Sequence, residues 1–171
     1  MQAQEASFVL NFLLDQIRNE SKTTAKVIAA VPEDKRDYKP DPKSRSAMEL
    51  AWHLAQAEVW FLESVIAGQF AMEGETIPAD IRGIADVVSF YQSKLPALIE
   101  RAATLPGEKL AETLNFLGAF NLPRVMYLNF LLVHSIHHRG QLAVYLRPMG
   151  SKVPSIYGGS ADEPFEMGAQ A

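Results

Sequence analysis

The chain has 171 residues, 48% of them apolar and 21% charged, with a formal net charge of −4. That length and balance suit one globular domain with room for a real core. The acidic surplus, with its 16 Lys and Arg spread along the chain, argues against a nucleic-acid binder that works by neutralising phosphates. No cysteine is present, so a disulfide scaffold, a cysteine-based zinc site and a cysteine nucleophile are excluded.

The first segment, "MQAQEASFVLNFLLDQIRNE", lacks the basic start of a signal peptide and carries Glu5, Asp15 and Glu20. No apolar run approaches the length of a membrane span. The expected location is the cytoplasm, with no membrane partner. From about Glu5 to Ala30, Phe8, Phe12, Leu13, Ile17, Thr24 and Ile28 recur at three- and four-residue steps, with Asp15, Arg18, Glu20 and Lys22 between them. This is helical periodicity. "VPEDKRDYKPDPKSRS" breaks it with three prolines and many charges, which predicts a loop.

A second helix opens at Ser46. Ser46 and Glu49 have the spacing of a capping box, in which the hydroxyl accepts from one amide and the carboxylate from another. Gly68 is a natural stop. A loop is expected from Gln69 to Pro78. A third helix is expected from about Asp80 to Ala103, with Val87, Val88, Tyr91, Leu95 and Leu98 on its apolar side and with a kink or an earlier end at Pro96. "TLPGEKLAETLNFLGAFNLP" is less regular and reads as a turn with a short extended piece. Asn121 is expected to cap the fourth helix, with Pro123 in its first turn, and that helix runs to about Leu146. There is no internal repeat and no convincing alternating strand pattern. The expected fold is all-α, an up-down four-helix bundle over residues 1–150, with 151–171 a tail packed on it or trailing from it. The loops after the first and third helices are long enough for crossovers.

Three of the four histidines, His134, His137 and His138, fall in the fourth helix. At about 100° per residue, His134 and His138 lie roughly 40° apart with a rise of roughly 6 Å, on the face of Tyr127, Leu131, Gln141 and Tyr145. His137 is turned away by roughly 100°. An i,i+4 pair of imidazoles can reach one ion, but a third ligand has to come from elsewhere. His53, on the second helix near Glu49, Leu50, Ala57 and Trp60, would point inward. A lone inward histidine is more often a satisfied core residue than a ligand, and both roles stay open at this level. Three neutral imidazoles with water filling the other positions would make an open divalent-metal site. Arg139 is expected to pair with an acidic side chain or to complement the dipole at the end of its helix. Tyr145 and Trp60 read as packing residues.

"HSIHHRGQLAVYLRPMG" and "SAMELAWHLAQAEVWFL" together resemble the two motifs of the DinB superfamily, the DinB/YfiT-like metalloenzymes. The resemblance covers roughly Ser7 to Gly150. "VPSIYGGSADE" also resembles a tail found in part of the family. It implies a four-helix bundle with a three-histidine metal site whose ligands are His53, His134 and His138, and it leaves His137 out of the set. It implies a divalent ion, zinc or nickel before others, and a small-molecule substrate. Some members transfer or add low-molecular-weight thiols. A metal-dependent transferase or hydrolase is one expectation; a non-catalytic bundle that binds metal or a small ligand is another; a metal that only fastens two helices is a third. No residue reads as a separate catalytic base, because Glu49 already has a capping role. A homodimer is compatible with such a bundle, with no interface located, and no contact with nucleic acid is expected.

Overall fold

The computed structural model describes residues 1–72, 74 and 76–164. Of the loop expected over 69–78 and the tail expected over 151–171, positions 73, 75 and 165–171 lie outside the described residues. Four long helices make the body: α1 (Ala3–Ala29), α2 (Ala47–Ala67), α3 (Ile84–Ala103) and α5 (Met126–Leu146). Between α3 and α5 come a short helix α4 (Gly107–Ala111) and two strands, β1 (Thr113–Phe116) and β2 (Phe120–Pro123). The expected four-helix bundle is the fold observed.

Each long helix forms for local reasons and is held by what it buries. In α1, Leu10, Leu13, Leu14 and Ile17 are buried in the core, each contributing on the order of 1.5–3 kcal/mol. Phe8 and Phe12, expected on that face, are instead 75% and 58% exposed. They lie one step around the helix from the leucines, and the leucine stripe is the one that meets α3 and α5. The N-terminus of α2 carries the predicted box: Glu49 N–H donates to Ser46 Oγ at 3.1 Å, and Ser46 N–H donates to Glu49 Oε2 at 2.6 Å. Its C-terminus ends at Gly68 in the left-handed region, φ 78°, where a side chain would be strained. The buried Arg124 seals that end by donating from Nε to the Val65 carbonyl and from Nη2 to the Ile66 carbonyl, the latter at 2.7 Å. A guanidinium there also meets the negative end of the helix dipole.

Helix α3 starts at Ile84, later than expected, because Asp86 accepts from the amides of Arg82 and Gly83 and so turns the preceding residues into a cap. It runs through Pro96 without ending. The largest departure precedes α5. Asn121 and Pro123 neither cap nor start that helix. They lie in β2, which pairs antiparallel with β1 from Thr113↔Pro123 to Phe116↔Phe120. Asn121 accepts from Asn115 across the hairpin at 3.0 Å. Leu117 (φ 52°) and Gly118 (φ 83°) turn the chain, and two successive positive φ values match the right-handed twist of a hairpin. Pro123 costs no ladder bond at the end of a strand.

Helix α1 packs on α3 and α5, and α2 packs on the same two, so α1 and α2 sit diagonally. Phe61 meets Phe130, Glu58 meets Ser135 and His53 meets His138, so α2 and α5 are antiparallel. Arg139 bonds Thr24, and beyond it Ser151 bonds Ala30, so α1 and α5 are parallel. Arg18 of α1 meets Glu100, near the end of α3. Ala25 lines the same groove as Tyr91, so α1 and α3 are antiparallel. It follows that α2 and α3 run in the same direction and that the chain must return along the bundle between them. The connectivity is up-down-down-up, rather than the simple alternation expected. No helix among the described residues is long and apolar enough to cross a membrane.

Candidate functional site

The antiparallel pairing of α2 with α5 brings His53 level with the turn that carries His134 and His138. The ring centroids lie 5.1 Å (His53–His134), 4.5 Å (His53–His138) and 4.4 Å (His134–His138) apart. One nitrogen from each ring can be chosen so that all three lie within 4.8 Å of one another. His53 is buried, and the other two are half-buried. His137 is exposed and meets only the outer edge of the group, its ring 4.8 Å from that of His138.

The chemistry of this cluster is that of a donor set. Burial, reinforced by the neighbouring imidazoles of His138 and His53, pushes His134 down to about 4. It is therefore neutral at pH 7 and keeps a lone pair. Gln141 Oε1 lies 2.7 Å from His138 Nδ1. An amide oxygen can only accept, so the proton sits on Nδ1 and the lone pair on Nε2. Three imidazoles held together in this way, His134 uncharged among them, fit a divalent transition-metal ion and do not fit an anion.

Glu49 lines the same cavity as His53, but its carboxylate is committed. The hydrogen bond from the Ser46 amide holds it below its ordinary value, and Lys39 Nζ sits 3.3 Å away. The capping role expected of it is the one it has. Tyr145 edges against Tyr38 and donates to the Arg45 carbonyl at 3.4 Å. Trp60 donates to the Ala71 carbonyl at 3.1 Å. Both rings pack against neighbouring aromatic rings.

Two features escaped the sequence. The first is a buried polar network one residue around α5 from the histidines. Glu58, 2% exposed, accepts from Tyr91 at 2.6 Å and from Ser135. Burial lifts its carboxyl to about 7 against the pull of these donors and of Arg139. Arg139, 1% exposed, pairs with Glu20 at 2.5 Å and donates to Tyr157 at 2.7 Å. Of the two roles expected for Arg139, pairing with an acid is the one found. The signal for Glu58 was a carboxylate whose helical neighbours at three- and four-residue steps, Leu54, Ala55, Phe61 and Leu62, are all apolar. The second missed feature is the space around the histidines. On one side Lys39, Lys43, Arg45 and Glu49 line a cavity of about 260 Å³ with His53. On the other, Trp60, Phe61, Phe116 and Phe130 line one of about 230 Å³ with His53 and His134. A further groove, between α1 and α3, contains none of the histidines.

An up-down-down-up helical bundle with three imidazoles gathered between α2 and α5 defines a recognisable class, and sequence comparison places the molecule in it. The chain belongs to the DinB family, whose model matches residues 3–167. It is similar to YrdA of Bacillus subtilis (strain 168), at 26% identity over 163 residues covering 95% of this chain and 96% of that protein. It is also similar to YjoA of the same organism, at 27% over 145 residues covering 82% and 90%. Among solved structures, a DinB-like protein from Bacillus cereus ATCC 10987 superposes with TM-score 0.71 at 22% identity, covering 85% of this chain and 95% of that one. The Bacillus subtilis YjoA structure gives TM-score 0.66 at 23% identity, covering 83% and 94%. At such identities the structural likeness bears on the fold alone.

Proposed function

We propose that this protein binds one divalent metal ion, zinc or nickel, through His53, His134 and His138, and that it is a metal-dependent enzyme of the thiol-transferase or hydrolase type. The observation that carries the reading is the convergence of three imidazoles next to open space. Structural metal sites are closed by four protein ligands, whereas reactive ones keep a position open. Three protein ligands with cavities on two sides support the second kind and weigh against an ion that merely fastens α2 to α5. A divalent ion held there supplies Lewis acidity that makes a thiol or a water a nucleophile near neutral pH.

The chain's own residues would do the rest. Burial keeps His134 uncharged, Gln141 holds the tautomer of His138, and the capping box fixes the turn of α2 that precedes His53. The test is elemental analysis of protein purified without an affinity tag, followed by a screen of the loaded protein with low-molecular-weight thiols and electrophiles. One equivalent of a divalent metal and thiol consumption dependent on it are expected. Absence of stoichiometric metal would reject the reading. Metal without turnover would leave the non-catalytic binding bundle.

A further inference from the structure

The described chain after α5 forms neither helix nor strand, yet it is highly ordered by its own side chains. Ser160 Oγ donates to the Val153 carbonyl at 2.6 Å and accepts from the amides of Asp162 and Glu163. Asp162 accepts from the Val153 amide at 3.0 Å, and Glu163 from the Ser155 amide at 2.8 Å. Ser155 Oγ donates to the Gly158 carbonyl at 2.6 Å. Residues 153–163 are thus a loop whose ends are joined by its own polar groups. Pro154 is buried, and Val153 and Ile156 pack against the core, which seats the loop on the bundle. Compact loops of this kind frequently carry function.

Among the described residues, two polar side chains reach from this loop to the helices. Asp162 pairs with Arg147 at 3.0 Å, but Arg147 is exposed and such pairs contribute little. Tyr157 reaches a buried group. Its hydroxyl accepts from Arg139 Nη2 at 2.7 Å and donates to Glu20 Oε2 at 2.9 Å, and Glu20 Oε2 pairs with the same guanidinium nitrogen. The three side chains close a ring of hydrogen bonds. The guanidinium carbon also lies 5.2 Å from the centroid of the tyrosine ring, within cation–π range. Tyr157 is 68% exposed and Arg139 only 1%. The tyrosine therefore helps to cover the ion pair while most of its own surface meets water. An ion pair kept from water is held several times more strongly than one open to it.

We infer that Tyr157 is a positioning residue for the histidine cluster: by closing the Arg139–Glu20 pair from outside the bundle, it sets the pose of His138, the residue before Arg139. This rests on the reading of the histidines as the metal site. His138 is the imidazole that Arg139 steers most directly, because one peptide bond joins them, while Gln141 orients its ring through Nδ1. The loop after α5 thereby belongs to the site, although no described residue beyond Gly150 lines the cavities beside the histidines.

The test compares Tyr157→Phe and Tyr157→Ala with the unsubstituted protein, both metal-free and metal-loaded. An unchanged indole signal from Trp52, which packs on Phe90, shows that the bundle is intact. In the metal-free protein the imidazole NMR signals of His138 should move in both variants, and further in Tyr157→Ala. In the loaded protein, competitive chelation should show zinc affinity reduced about 3–10-fold by Tyr157→Ala, since an outer partner in contact with a ligand is worth about 10–100-fold and Tyr157 acts one residue further out. The visible absorption of the cobalt(II)-loaded protein should shift with it, and Tyr157→Phe should keep part of the affinity. Lower thermal stability with the His138 signals and the cobalt spectrum unchanged would overturn the inference and leave Tyr157 a fastening only. Moved His138 signals in a protein that holds no metal would strike the metal reading alone. Metal held by Tyr157→Ala with unchanged affinity and spectrum would strike this inference alone.

Discussion

Two polar groups of residues sit inside this bundle on the same pair of helices, offset by one residue on α5, and they are built in opposite ways. His53, His134 and His138 bring together lone pairs. Glu58, Ser135 and Arg139 bring together donors with acceptors. In the second group the named charges have partners: Arg139 has Glu20 and Tyr157, and Glu58 has Tyr91 and Ser135. A satisfied network rigidifies and asks for nothing further. A convergent set of ring nitrogens bordered by cavities, with His134 kept neutral by burial, is suited to receive something electron-poor. The kind of grouping, donors matched to acceptors or ring nitrogens gathered together, separates the part that holds the fold from the part suited to chemistry.

The sharpest way to break this contrast is to remove one imidazole. His53→Ala should weaken metal retention by more than about 100-fold, beyond the 10–100-fold that loss of an outer partner costs. His137→Ala should leave it unchanged. Equal losses by elemental analysis or competitive chelation would reject the ligand set. On the other side of the contrast, Arg139→Ala strands Glu20 and removes a countercharge near Glu58, and should cost about 3–5 kcal/mol in urea unfolding. A cost under about 1 kcal/mol would mean that the network is not what holds α1 to α5.

Glu58 gives a pH test. Its unfolded carboxyl ionises near 4.5 and its folded one near 7. Between these values the folded state binds more protons, so stability should fall as pH rises through that window. At about 1.36 kcal/mol per unit the loss attributable to Glu58 is at most about 3 kcal/mol. Glu58→Gln, neutral at every pH, should flatten the profile between about pH 5 and 7; an unchanged slope would assign the dependence to another group. Gln141→Ala should reduce metal affinity by about 10–100-fold without changing stoichiometry. The smallest effect, about 1 kcal/mol of stability, is expected for Ser46→Ala, with metal content unaffected.

Much of this was legible in the sequence, for identifiable reasons. The long helices announce themselves by periodicity, and Ser46 with Glu49 by spacing. The partnership of His53 with two histidines some eighty residues away came from a resemblance of motifs, because helix geometry could show only that His53 points inward. The hairpin was read only as a turn with a short extended piece, because its strands have four residues each, too few for alternation to register, and because Asn121 and Pro123 carry equally good signals for a helix start. The signal that could have found it is Leu-Gly-Ala between two phenylalanines, Phe116 and Phe120. Phe8 and Phe12 were misplaced because α1 has apolar residues on two adjacent stripes, and only tertiary packing chooses between them. The direction of α3 was beyond reach, since a long loop permits return or crossover equally.

The one-residue offset on α5 has a mechanical consequence. A helix held only by aliphatic contacts can roll about its own axis through small angles at little cost, and a histidine on it would sweep with the roll. Here Arg139, next in the chain to His138, is tethered to Glu20 and Thr24 of α1. Ser135, next to His134, is tethered to Glu58 of α2. The two tethers pull on neighbouring helices and so fix the azimuth of α5, and with it the aim of both imidazoles. A single-residue insertion between Leu131 and His134 would rotate the remainder by about 100°, and it would unseat the tethers and the histidines together.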